Sequence, residues 1–411
     1  MIISNSIVTV FVAFVAFSGT TSEAFSPSFT ITLHNEQCRQ GRLLATVTDS
    51  TDTDKSVDDD SFNLSEYVAS KQPALNKILK ETVASIDPPN TDLVSECMEY
   101  SLMAGGKRIR PVLCLAAAEM FTSSKEEAEK VALPTAAALE MIHTMSLMHD
   151  DLPSMDNDDL RRGKPTNHVS FTFFNNTYFC FILRIPFLLI SLSLYIYTTC
   201  KCNFFHASYL LIQVVYGEDL AILGGDGLLS TSFQVIAEKT PQDKVDPSKI
   251  LDVIARVGKC VGSKGLVGGQ VLDMLCEGKR GRRDVTVDDL KWIHTHKTAV
   301  LLVAAVACGA ILGGANEEEV QACEKFALNI GLAFQVADDI LDVTATTEEL
   351  GKTAAKDLVA DKTTYPKLLG LDGARAEASR LTEEAKESLE PFGDRAIPLL
   401  AIADYIINRK N

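Results

Sequence analysis

The 411-residue chain predicts an all-α fold organised around one large core, and three observations carry that prediction. From about Phe62 onward, apolar residues recur at spacings of three and four, which gathers them on one face of a helix. Neither a strand–helix alternation nor a dinucleotide-type glycine signature breaks the pattern. Apolar residues make up 46% of the chain, with little β-branched alternation, so a sizeable helical core can be buried.

Taken in order, the periodic stretches are 93–103, 112–121, 128–148, 220–236, 250–275, 287–312 and 320–341. Breakers separate them, as at Ala104-Gly105-Gly106, Thr240-Pro241 and Gly278-Lys279-Arg280-Gly281. Residues 61–411 are therefore expected to form one helical domain. Residues 1–60 are expected to lie outside it. The run 7–17 has the length of a signal-peptide core and is too short to span a bilayer. Ala24-Phe25 follows, then Arg39 and Arg42 among hydroxylated residues, and finally six aspartates between Asp49 and Asp60 that read as a disordered linker. The layout resembles the signal-plus-transit presequence of algae with complex plastids and predicts plastid import; the endoplasmic reticulum and the cytosol are the alternatives.

One segment does not fit a soluble bundle. Between 169 and 213 the chain is rich in Phe, Tyr, Ile and Leu, and Tyr178 to Thr198 carries Arg184 as its one charge. Excising 169–213 joins His168 to Val214-Val215-Tyr216-Gly217-Glu218-Asp219, an ordinary soluble sequence. Valine codons begin with GT and one glutamine codon ends in AG, the boundary dinucleotides of an intron. The segment therefore reads as a retained intron, against a membrane hairpin or an unusual loop; without it no stable membrane span is expected. A net charge of −16 argues against nucleic-acid binding. The ten cysteines form no CxxC pair and no zinc-like spacing, which points to a reducing compartment.

Two acidic clusters are the chemical signal. Asp150-Asp151-Leu152-Pro153-Ser154-Met155-Asp156 and Asp338-Asp339-Ile340-Leu341-Asp342 each end a long apolar stretch, where massed carboxylates are costly unless cations neutralise them. Such oxygen-rich sites suit Mg²⁺, which shares its shell with water and substrate phosphates. Pro153 predicts a helix end and turn, letting Asp150 and Asp156 converge, while Asp338 and Asp342 share a helix face. Solvated helix ends are the plain alternative for either cluster alone. Basic segments accompany them: Leu160-Arg161-Arg162-Gly163-Lys164 follows the first cluster, and Gly105-Gly106-Lys107-Arg108-Ile109-Arg110 opens a helix. Guanidinium groups and helix-start amides both suit phosphate.

With these motifs the chain resembles the trans-isoprenyl diphosphate synthases, most closely geranylgeranyl diphosphate synthases of the plant and bacterial type. Further landmarks are Ile142 to His149, Gly217-Glu218-Asp219, Gly224-Gly225-Asp226, Gly268 to Asp273, Lys297-Thr298, Phe334-Gln335 and Gly351-Lys352-Thr353. The resemblance implies an orthogonal helical bundle of the isoprenoid synthase type with a central diphosphate-binding cavity. It also implies a Mg²⁺-dependent prenyltransferase, using three ions and accepting Mn²⁺, that adds isopentenyl diphosphate to dimethylallyl, geranyl or farnesyl diphosphate. On this basis Asp150, Asp156 and Asp338 are the expected metal ligands, with Asp151, Asp339 and Asp342 in the surrounding acidic shell. Arg161, Lys297, Thr298, Gln335, Lys352 and Lys362 would contact the allylic substrate or its leaving group. Gly106, Lys107, Arg110, His143 and Arg162 would hold isopentenyl diphosphate. Lys297 and Lys352 are also expected to assist ionisation.

Product length is expected to follow from Ile142, Met145 and Ser146, the wall beneath the first cluster. Family members that stop at fifteen carbons tend to carry an aromatic ring at position 145 or 146; none stands there, which favours a C20 product over farnesyl or longer ones. The resemblance further implies a homodimer. Cys114 is followed by Ala118 instead of a second cysteine, and Ser154 stands in the other expected cysteine region, which disfavours the paired-cysteine heteromers of some plant relatives. A terpene cyclase would mix Asn, Ser and Glu into its second motif, and a non-catalytic regulatory subunit would have lost a cluster; neither pattern is seen.

Overall fold

The computed structural model describes residues 62–84, 88–158, 160–162, 164–168, 217–276, 285–344 and 363–408. The presequence, the 169–213 segment, Lys352 and Lys362 lie outside the described residues. Asp60–Asn411 forms one compact unit. Its helices are α1 (Leu64–Val83), α2 (Asp92–Leu102), α3 (Ile109–Glu119), α4 (Lys125–Asp150), α5 (Glu218–Lys239), α6 (Pro247–Val261), α7 (Leu266–Cys276) and α8 (Val287–Ile293). A π-helical turn, His294–Ala299, joins α8 to α9 (Val300–Gly313). Beyond these come α10 (Glu317–Thr344), α11 (Tyr365–Leu389), the 3₁₀ turn Glu390–Ala396 and α12 (Ile397–Asn408). The strands β1 (Leu160–Arg161) and β2 (Lys164–Pro165) form one short antiparallel ribbon, pairing Leu160 with Pro165 and Arg161 with Lys164.

The helix starts are written locally. Asn63 caps α1, Ser124 caps α4 and Asp246 caps α6, each accepting a backbone N–H from the first turn, and Thr286 forms a reciprocal capping box with Asp289. Gly314 ends α9 in the left-handed conformation that terminates many helices. The predicted stretch 250–275 is two helices: the chain turns at Gly262–Gly265, and a Cβ on Gly265 would sit 1.9 Å from the Cys260 carbonyl oxygen. Helices α1, α11 and α12 add to the predicted stretches.

The core is layered: α5 packs on α4, α4 on α3, and α3 on α9, with α10 and then α11 beyond. Helix α9 is apolar all round and buried on nearly every side by the helices around it. By length and composition three stretches, α4, α5 and α8 through α9, could cross a membrane. For α4 and α8–α9, 78% and 67% of the most apolar window is buried against protein, so core packing accounts for their hydropathy. Helix α5 differs, leaving Ile222 and Leu223 exposed, as Val267, Val271 and Leu275 are on α7. This architecture places the acidic clusters at the C-terminal ends of α4 and α10, the two longest of the described helices.

Candidate active site

Helix α4 stops at Asp150 because Pro153 disfavours continuation, and the chain folds into a turn in which the Asp156 N–H donates to the Asp150 carbonyl oxygen at 2.9 Å. The turn thus brings the Asp156 backbone onto that of Asp150. Burial, reinforced by Asp156 and Asp151 and opposed by Lys297 and Arg161, pushes the Asp150 carboxyl up to about 6. Asp151 is also raised by burial, even though Arg161 ion-pairs with it. The Arg161 Nε donates to Asp151 Oδ1 at 3.0 Å, and the same guanidinium reaches Asp158 at 3.2 Å. Arg161 therefore clamps the acidic turn as well as facing it.

About two turns up α4, roughly 10 Å from Asp150, the chemistry changes from acidic to basic. His143 is held well below its ordinary value by burial and then by Arg110, Arg162, Arg161 and Arg108, so it is a neutral imidazole at physiological pH. Arg110 opens α3, and its Nε is buried without a hydrogen-bond partner among the described residues. The preceding turn has positive φ at Gly105, Gly106 and Arg108. Arg162 lies across it: its guanidinium donates to the Gly105 carbonyl, and a Cβ on Gly106 would sit 2.6 Å from the Arg162 Cζ. Glycine at 106 is what lets that guanidinium approach. Lys107 is exposed, with its ammonium 5.3 Å from the Tyr405 ring of α12.

The remaining predicted residues are carried by the π turn and α10. Lys297 and Thr298 lie in the π turn, a geometry that re-aims side chains and recurs at functional sites. Lys297 donates to Asp273 Oδ2 of α7 at 2.7 Å. A Cβ on Gly269 would come within 2.3 Å of the Lys297 backbone nitrogen, so glycine there lets α7 press against the turn. Gln335 and Asp339 of α10, with Asp273, His294, Lys297 and Thr364, line a cavity of about 130 Å³. Asp338 is half-buried on the same helix. Asp339 Oδ2 accepts the Tyr365 N–H at 2.9 Å, making it an anchor for the start of α11. Asp342 Oδ2 is buried with no hydrogen-bond partner among the described residues. Ile142 and Met145 are buried in the main core, and Ser146 donates to its own helix at the His143 carbonyl, 2.8 Å.

Among the described residues no three His, Cys, Asp or Glu side chains gather into a protein-only metal cage. The donor set instead fits a hard cation that completes its shell with diphosphate and water: Asp150 is burdened by neighbouring carboxylates, and Asp342 keeps an orphaned buried oxygen. Sequence reasoning assigned no role to Asp273 or Glu140, and it grouped Arg108 with the anion-attracting basic residues, whereas Arg108 is buried on Glu140. Asp273 stands out in the apolar stretch of α7, and Glu140 is the one carboxylate between Val131 and Thr144, so a lone charge in an apolar helix was the available signal.

A family model described as Polyprenyl synthetase matches residues 91–181 and 208–391, passing over the middle of the apolar segment. The chain is 47% identical over 352 residues to a chloroplastic geranylgeranyl pyrophosphate synthase of Catharanthus roseus, covering 85% of this chain and 83% of the relative. It is 44% identical over 352 residues to the chloroplastic large subunit 1 of a heterodimeric geranylgeranyl pyrophosphate synthase of Arabidopsis thaliana, covering 85% and 81%. A crystal structure titled as an FPP/GFPP synthase of Zymomonas mobilis superposes with a TM-score of 0.64 at 29% identity, covering 84% of this chain and 99% of the other.

Proposed function

This chain belongs to the polyprenyl synthetase family, and we propose that it condenses isopentenyl diphosphate with dimethylallyl, geranyl and farnesyl diphosphates to make geranylgeranyl diphosphate. One observation carries the assignment of two substrates to two sites. Helix α4 ends in a partly buried acidic turn at Asp150, Asp151 and Asp156, and about 10 Å away carries a neutral His143 that feels the charges of Arg110 and Arg162. The first suits a diphosphate bound through cations, the second a diphosphate bound by donors alone.

Mg²⁺ held by Asp150, Asp156 and Asp338 would neutralise charge on the allylic diphosphate as it leaves. Lys297, oriented by Asp273, adds a fixed cation where that charge develops. Arg110 and Arg162 orient the isopentenyl diphosphate so that its double bond meets the allylic cation, and neutral His143 donates one ring N–H to it. The departing diphosphate takes the proton lost from the condensed product. Lys352 and Lys362, outside the described residues, are proposed to close on the allylic diphosphate. The buried apolar packing of α4 keeps water from the cation.

Several finer readings join this proposal. The 169–213 segment is taken as absent from the working enzyme, supported by the family match passing over 182–207. Plastid import is supported by chloroplastic relatives. Homodimerisation is assigned to the exposed apolar residues of α5 and α7. The test compares the full chain with the same chain lacking 169–213, using labelled isopentenyl diphosphate and each allylic primer. Magnesium-dependent C20 product from the uninterrupted form is expected; no elongation by that form sinks the assignment.

The wall assignment has its own test. Met145→Tyr or Met145→Phe would place a ring at a position that is only 7% exposed, blocking the tail's path beneath Asp150. The dominant product should shift from C20 to C15, read by chromatography of the dephosphorylated alcohols; an unchanged distribution refutes the wall.

A further inference from the structure

Glu140 stands on α4 one turn before His143 and is 1% exposed. Its Oε1 accepts from Arg108 Nη1 at 2.6 Å and faces Arg162 Nη2 at 3.9 Å. Arg108 is itself 5% exposed, and its other arm donates to the Leu102 carbonyl at the end of α2, 2.6 Å away. One carboxylate oxygen thus ties the left-handed residue that starts α3 to α4, and holds the guanidinium that lies across Gly106. Arg110 is two residues beyond Arg108, so the same tie places it.

We propose that Glu140 is a positioning residue for the basic diphosphate site, fixing Arg108 and Arg162 at the spacing that lets Arg162 and Arg110 engage isopentenyl diphosphate together. The inference rests on assigning that pocket to isopentenyl diphosphate. A buried anion among converging guanidinium groups is needed because their mutual repulsion would otherwise drive the exposed member, Arg162, toward solvent. The carboxylate does not touch the substrate; it sets where the cations stand.

The test uses the chain lacking 169–213, the form proposed as the working enzyme, with Mg²⁺ and measures initial rates with each substrate varied in turn. Glu140→Gln keeps the shape and loses the charge, and should raise KM for isopentenyl diphosphate about tenfold, the effect of weakening one charged hydrogen bond. KM for the allylic substrate should stay within about twofold, since its site is anchored elsewhere. Glu140→Asp, which keeps the carboxylate one methylene back, should fall between. If Glu140→Gln does not fold, a selective rise in Glu140→Asp alone supports the proposal. A melting-temperature loss with neither KM moved, or an equal rise in both, overturns it. Arg162→Gln separates the premise: a raised isopentenyl KM there with none in Glu140→Gln rejects only the Glu140 role, whereas no change in Arg162→Gln rejects the pocket assignment and the proposal with it.

Discussion

Asp150→Asn should lower kcat by about three orders of magnitude at saturating Mg²⁺, the scale expected when a principal charge-stabilising group is removed from a departing diphosphate. Asp150 combines the features such a loss requires: it ends α4, its carboxyl is pushed up to about 6 by burial, and Asp156 is folded onto its backbone. Asp151→Asn should be milder and act through Arg161, its ion-pair partner. Retention of more than a tenth of wild-type kcat by Asp150→Asn would refute the ligand assignment. The same shift has a signature in metal-free protein. Because the folded Asp150 carboxyl titrates near 6, above its unfolded value of 3.8, the folded state binds the proton more readily. Its contribution is therefore full below about pH 4 and lost as pH rises through about 6. Added Mg²⁺ should raise the melting temperature more at pH 7.5 than at pH 5, where the proton competes for the same carboxylate.

Lys297→Ala should lower kcat/KM for the allylic substrate by about a hundredfold, the effect of removing one positioned cation from a leaving group. Lys297→Arg should restore little, because Gly269 brings the α7 backbone against the π turn and Asp273 receives a compact ammonium at 2.7 Å. Asp273→Asn should lose part of the same rate by leaving Lys297 unaimed. Initial rates with farnesyl diphosphate varied at fixed isopentenyl diphosphate measure all three. Wild-type kcat/KM in Lys297→Ala would remove this lysine from the mechanism.

Much of the candidate site was legible because its causes are local. Pro153 announces the end of α4 and so the turn that folds Asp156 back to Asp150. The glycine pair at 105–106 announces a turn before a helix start, and the structure gives both positive φ. The π turn was not legible: Val287 to Leu312 reads as one uninterrupted helical period, and the extra residue per turn at His294–Ala299 shows only in hydrogen bonding across the finished fold. Nor could the spacing of Asp338, Asp339 and Asp342 say that Asp339 is taken by the Tyr365 N–H, a partner 26 residues away.

The sequence by itself determined the all-α class, the helix ends that carry the acidic clusters, and the basic segments beside them. Each follows from periodicity, capping and proline, which act within a few residues. Only the tertiary structure decided which charge meets which. Arg161 joins Asp151, Arg162 crosses the Gly105–Gly106 turn, and Arg108 is sunk onto Glu140, 32 residues away. The reason is physical: a charge's partner and protonation depend on burial and distance among distant segments, and both are set when the helices pack.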